Sequence, residues 1–182
     1  MKGVLHLTPV KMSVKIMSEL ERRGLIVRLT PSREEHRVRV DEHEGRGEKI
    51  YASPASSGGH MLAAVAIANE TFSSFATHQE NEEFLLLGGK EERKLFLLIS
   101  YLTRETLLTK LKEQTLTADD FILLDCVFND PEMSFFVMKA GVPHGECAIG
   151  AGRPATFYVT ECEGLRLDKI DLYEKYDIEI GE

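Results

Sequence analysis

Residues 121–139 read FILLDCVFNDPEMSFFVMK: an apolar run, a turn, and a second apolar run. Phe121 to Phe128 and Ser134 to Lys139 are dense in Phe, Ile, Leu and Val, whose shapes suit a pleated, buried surface. Between them Asn129-Asp130-Pro131-Glu132 supplies turn chemistry, since Asn and Asp bond back to the nearby backbone and Pro presets one dihedral. The reading is two strands joined by a turn. Alternation puts Phe135 and Val137 on one face of the second strand and Phe136 and Met138 on the other. Both faces are apolar, so both are expected to be covered, the outer one by a second sheet or a partner subunit. A homodimer is the expected assembly.

The same texture extends in both directions. Met61 to Asn69, Thr71 to Thr77, Phe84 to Leu87 and Leu95 to Leu102 read as strands upstream, and Ala155 to Cys162 downstream. Thr103 to Gln114 fits a helical turn through Leu107, Leu108 and Leu111, or another hairpin through its threonines. In front, Pro9 to Arg23 carries a helical period in Val10, Val14, Met17 and Leu20, with Thr8 as the expected cap and Gly24 as the stop. Leu25 to Ile50 holds a short β-branched run followed by Glu34, His36, Arg39, His43 and Arg46. An exposed hairpin or a long loop both fit, its histidines belonging to a solvated face. Ser53-Pro54-Ala55-Ser56-Ser57-Gly58-Gly59 lacks the P-loop lysine and the dinucleotide glycine spacing, and reads as a loop entering a strand. Many short strands behind one helix predict a mainly β sandwich or barrel, not an alternating α/β sheet.

The length of 182 residues, 43% apolar and 29% charged, suits a single domain with its own core. Its parts are a helix and extension over 1–59, a barrel core over 60–165 and a C-terminal segment over 166–182. A net charge of −8 without a basic stripe argues against nucleic acid, whose phosphates need Lys and Arg. The three cysteines, Cys126, Cys147 and Cys162, are odd in number and lack CxxC spacing, so neither a disulfide framework nor a zinc knuckle is expected. Residues 1–10 lack a basic leader with an apolar run, and no stretch approaches the ~20 apolar residues of a membrane helix. A soluble, cytoplasmic protein with no membrane partner is the expectation.

Two segments carry candidate chemistry: Ala76-Thr77-His78-Gln79-Glu80-Asn81-Glu82-Glu83 with Gly88-Gly89, and Lys139-Ala140-Gly141-Val142-Pro143-His144. Each sets a histidine beside a β-type run, which is how a small barrel can bring ligands from distant strands to one metal. His78, three residues, Glu82, six residues and Gly89 follow the first motif of the cupin superfamily from its second histidine onward. The first histidine slot holds Ala76, and the glycine six residues earlier is Glu70. Lys139, Gly141 and His144 occupy the slots of the second motif, Pro-x-Gly-x-x-His, with the proline replaced and the final Asn slot held by Ala148. Over roughly residues 61–163 the chain therefore resembles the cupins, double-stranded β-helices of jelly-roll type.

That resemblance implies His78, Glu82 and His144 as ligands of a divalent ion: Fe, Mn, Ni, Co or Zn. Glu80, two residues from His78 on the same side of an extended segment, is an alternative ligand in place of Ala76, and a register using His78, Glu80 and Glu83 stays open. Glu80 and Glu146 are candidate proton-transfer groups. Lys139 and Arg153 are candidate anchors for an anionic substrate group, and Tyr158 a hydroxyl for the pocket. Cys147 reads as a soft ligand or as a small buried residue. The implied function is a mononuclear-metal enzyme acting on a small polar molecule, of sugar isomerase, epimerase or oxygenase type. The alternative is a metal-free cupin that binds a small molecule without catalysis.

Overall fold

The computed structural model describes residues 1–29, 37–39, 49–51, 60–67, 71–87, 94–149, 155–162 and 167–181. For 37–39, 49–51, 60–67, 71, 148–149 and 155–162 it describes the backbone path only. From the N-terminus the elements are β1 (Gly3–Leu7), β2 (Val10–Lys11), α1 (Val14–Arg22), β3 (Ile26–Arg28), β4 (Arg37–Arg39), β5 (Lys49–Tyr51), β6 (His60–Ile67), β7 (Thr71–Phe72), β8 (Ala76–His78) and β9 (Glu82–Leu85). There follow β10 (Lys94–Ser100), α2 (Arg104–Glu113), β11 (Phe121–Asp125), β12 (Phe135–Met138), β13 (His144–Ile149), β14 (Ala155–Cys162), β15 (Leu167–Lys169), α3 (Leu172–Lys175) and β16 (Tyr176–Ile180). The protein is mainly β. Among the described residues, no helix is long and apolar enough to cross a membrane.

A six-stranded sheet runs in the order β15-β8-β13-β10-β11-β2 and a five-stranded sheet in the order β3-β12-β9-β14-β6. Every pairing within them is antiparallel except β11 with β2. Both ladders are open among the described residues. Their facing sides share one core: Leu95, Leu97, Ile99, Ile122 and Leu124 from the first sheet meet Ile26, Phe84, Phe136 and Met138 from the second. Phe84 and Phe136 stack with ring centres 5.1 Å apart. Alternation sends Phe96, Leu98, Phe121, Leu123 and Cys147 to the other face of the six-stranded sheet. There they form a second core with Leu107 and Leu111 of α2, Leu172 of α3 and Tyr176 of β16. The middle of this sheet is thus buried on both sides, which is why β10 is apolar at nearly every position.

The helix near the N-terminus begins later than its apolar period suggests. Val10 and Lys11 pair with Leu124 and Asp125, because the free edge of β11 offers backbone partners. Ser13, not Thr8, caps α1 by accepting from the Ile16 amide, and Gly24 at φ +76° ends it as expected. Thr103 to Gln114 is a helix: Thr103 caps it, and Leu107 and Leu111 bury one stripe against the sheet. A single helix in front is therefore an undercount, since α2 and the short α3 lie behind it. The expected strand over Thr71 to Thr77 divides into β7 and β8, β9 starts two residues early at Glu82, and the tail pairs its β16 in parallel with β1. The turn at Asn129 to Glu132 forms as read, with Asn129 at φ +60° and Asp130 Oδ1 accepting from the Glu132 amide at 2.8 Å. The Leu25 to Ile50 reading is realised in part by the β4–β5 pair, while His36, His43 and Ser53–Gly59 lie outside the described residues.

Candidate metal centre

His78 is the last residue of β8, Glu82 the first of β9 and His144 the first of β13. β8 and β13 are neighbours in one sheet, and β9 belongs to the other. The bend Gln79–Asn81 carries the chain between sheets, so His78 and Glu82 face each other across the gap it spans. The opposite wall comes from the 139–141 turn, which Gly141 completes at φ +78°, a conformation glycine adopts without strain. Two bonds join bend to turn: the Gly141 amide donates to the His78 carbonyl at 2.8 Å, and the Ala140 amide to Asn81 Oδ1 at 2.9 Å.

The three side chains meet at one point. Glu82 Oε2 lies 3.0 Å from His144 Nε2 and 3.4 Å from His78 Nε2, and one ligand atom from each residue falls within 4.8 Å of the others. The rings stack with centres 5.2 Å apart, and Phe84 meets His144 edge-on. Their side chains are 11%, 6% and 3% exposed for His78, Glu82 and His144. His144 Nδ1 sits 2.9 Å from the Val142 carbonyl, which can only accept, so that nitrogen carries a hydrogen and Nε2 is the ring atom turned to Glu82.

Burial acts against charge on both rings, with opposite outcomes. For His78 it outweighs the attraction of Glu82 and, aided by the charge of His144, lowers the pKa. For His144 burial is overcome by the Glu82 hydrogen bond, the Glu82 and Glu146 carboxylates and the Val142 carbonyl, and the pKa is raised. When His144 is protonated, its Nε2 hydrogen is directed at the Glu82 carboxylate.

The donor set fits a metal. Two ligands about 2.1 Å from one ion stand about 3.0 Å apart at a right angle and about 3.4 Å apart at a tetrahedral angle, the range seen from Glu82 to each histidine. Two imidazoles and a carboxylate suit borderline ions such as Fe(II), Mn(II), Co(II), Ni(II) or Zn(II). His78 Nδ1 is buried without a hydrogen-bond partner among the described residues.

Glu82 is the carboxylate of this group because β9 alternates: Glu82 and Phe84 face inward, while Glu83 and Leu85 are partly exposed. Glu80 is exposed on the bend, and Lys139 on the facing turn. Glu146 lies two residues beyond His144 on the same face, its carboxylate accepting from the Ser73 hydroxyl while its amide donates to Ser73 Oγ at 2.7 Å. Burial raises the Glu146 pKa, against the pull of His144 and Ser73 and with the repulsion of Glu82. Cys147 points the other way, into the outer core. Tyr158 is on β14 in register with Leu85, its side chain outside the described ones, and Arg153 lies outside the described residues. Ser73 carried no signal in the sequence, being 73 positions from its partner.

Neither protein-family models nor curated proteins match this chain. The chemistry of the site rests on its own residues.

Proposed function

We propose that the protein is a jelly-roll, cupin-like enzyme that holds one divalent metal ion at His78, Glu82 and His144 and acts on a small polar molecule. The observation that carries this reading is the convergence of three largely buried ligand atoms, from three strand ends in two sheets, within 4.8 Å of one another. Three protein ligands leave coordination positions open, and a bound ion there supplies Lewis acidity toward a carbonyl or hydroxyl. Glu146, inward-facing and held by Ser73, would take or return a proton. Isomerisation or epimerisation of a sugar, and oxygenation where the ion is iron, both suit this donor set.

A second reading, a metal-free binder of small molecules, draws on the His144–Glu82 hydrogen bond, which already satisfies both groups without an ion. Elemental analysis of the untagged protein after dialysis against these divalent ions separates the two. Near-stoichiometric metal, lost in His78→Ala and His144→Ala with the fold retained, supports the metalloenzyme. A metal-free parent protein leaves the binder.

A further inference from the structure

The bend that carries two of the three ligands and the turn that precedes the third are fastened to each other by a side chain as well as by backbone. Asn81 sits between His78 and Glu82, and its Oδ1 accepts from the Ala140 amide at 2.9 Å. The adjacent bond, Gly141 N–H to the His78 carbonyl at 2.8 Å, fixes the same turn from the ligand residue itself. That turn is closed by Val142 N–H to the Lys139 carbonyl at 3.2 Å and tied to the chain after α1 by Lys139 N–H to the Leu25 carbonyl at 3.0 Å. Val142 in turn supplies the carbonyl that orients His144. A path of hydrogen bonds therefore runs from Asn81 through the 139–142 turn to the ring of His144, while Asn81 is covalently one residue from Glu82.

Position 81 lies on the bend itself, one residue before Glu82. The residue is only partly buried, precedes a strand, and takes no place in either hydrophobic core. The chemistry used at Ala140 is a neutral acceptor of a length that reaches a backbone amide across the gap between two segments. The geometry points to Asn81 as a positioning residue of the metal centre: through its Oδ1 it holds the His78–Glu82 bend in register with the turn bearing His144. This rests on the metal-binding reading above. Partners that orient ligands without touching the ion set its affinity by about 10- to 100-fold.

The test uses Co(II), whose visible absorption reports ligand geometry, with affinity measured by competition against a chromophoric chelator. Asn81→Leu removes the acceptor at similar volume, Asn81→Ser shortens the side chain out of reach, and Asn81→Asp keeps the acceptor. The expected result is a loss of about tenfold or more in Co(II) affinity and an altered spectrum in Asn81→Leu and Asn81→Ser, with Asn81→Asp within a few-fold of the parent protein. Thermal unfolding of the metal-free forms shows which variants are folded, and either acceptor-free variant suffices. Parent-like affinity and spectrum in a folded acceptor-free variant overturn the inference, as does equal loss in Asn81→Asp. Failure of the parent itself to bind Co(II) is a different outcome: it removes the metal reading, and this inference with it.

Discussion

His144 Nε2 and Glu82 Oε2 stand 3.0 Å apart across the space between the two sheets, both nearly excluded from water. The pair joins β13 of one sheet to β9 of the other, beside the aromatic and aliphatic core that the two sheets share. A buried charged pair of this kind contributes less through net attraction than through the cost of leaving either member alone.

Replacing Glu82 with Gln keeps the shape and removes the charge. In the metal-free protein the His144 pKa, raised against burial by Glu82, is expected to fall, read from the imidazole resonances in an NMR titration. The raised pKa means that this interaction stabilises the fold fully below the unfolded imidazole value of about 6.5 and fades as pH rises through the folded value. Glu82→Gln is therefore expected to lose about 1–3 kcal/mol of stability, most visibly at mildly acidic pH, by denaturant unfolding with chelator present.

Under the proposed metal-binding role, metal affinity is expected to carry the opposite dependence on pH. The ion must displace the proton from His144, so affinity is expected to rise with pH through the His144 transition and then level off. Isothermal titration in two buffers of different ionisation enthalpy would show proton release on binding. Binding without proton release, below the His144 transition, would contradict this account.

The outer core predicts independence of a different sort. Leu107, on α2, is fully buried against the face of the six-stranded sheet opposite the histidines and Glu82. Leu107→Ala is expected to cost about 2–5 kcal/mol in unfolding free energy, as a buried leucine does when a cavity remains. Metal stoichiometry of the folded variant should be unchanged, because the sheet lies between.

Asp120 accepts twice from the Lys110 ammonium, at 2.6 and 2.7 Å, and from the Thr117 amide at 2.8 Å. Burial opposes its charge, but these bonds prevail and hold its pKa below the ordinary value of 3.8. A depressed carboxyl stabilises above its unfolded pKa and loses that contribution as pH falls through the folded one. Asp120→Asn is expected to be about 1.5–3 kcal/mol less stable at neutral pH, with the gap closing below about pH 4 in unfolding curves. A gap that persists at low pH would assign the loss to packing.

Much of the local structure is legible from neighbours a few residues apart. Gly24 ends α1 because a left-handed position follows the helix, and Asn129 to Glu132 turns because Asp130 caps its own backbone. α1 starts later than its apolar period suggests because that period runs on through Val10, a residue taken instead by the edge of β11. Thr103 to Gln114 could be decided only by what lies beside it: the outer face of the sheet is apolar, and a helix with Leu107 and Leu111 on one stripe covers it.

Sequence alone determined that the chain is mainly β, where α1 stops at Gly24 and the chain turns at Asn129 to Glu132, and which two segments carry imidazoles and carboxylates. Those properties follow from side-chain shape, alternation and short-range hydrogen bonds, all local. The tertiary structure decided which glutamate faces the histidines, since a shift of one residue on β9 would exchange Glu82 for Glu83. It also decided the meeting of Glu82 with His144, 62 positions away, and of Glu146 with Ser73, 73 positions away. Such contacts depend on packing and register, which are set by the combined burial of Phe84, Phe136, Leu97 and their neighbours from different strands and not by any one stretch of sequence.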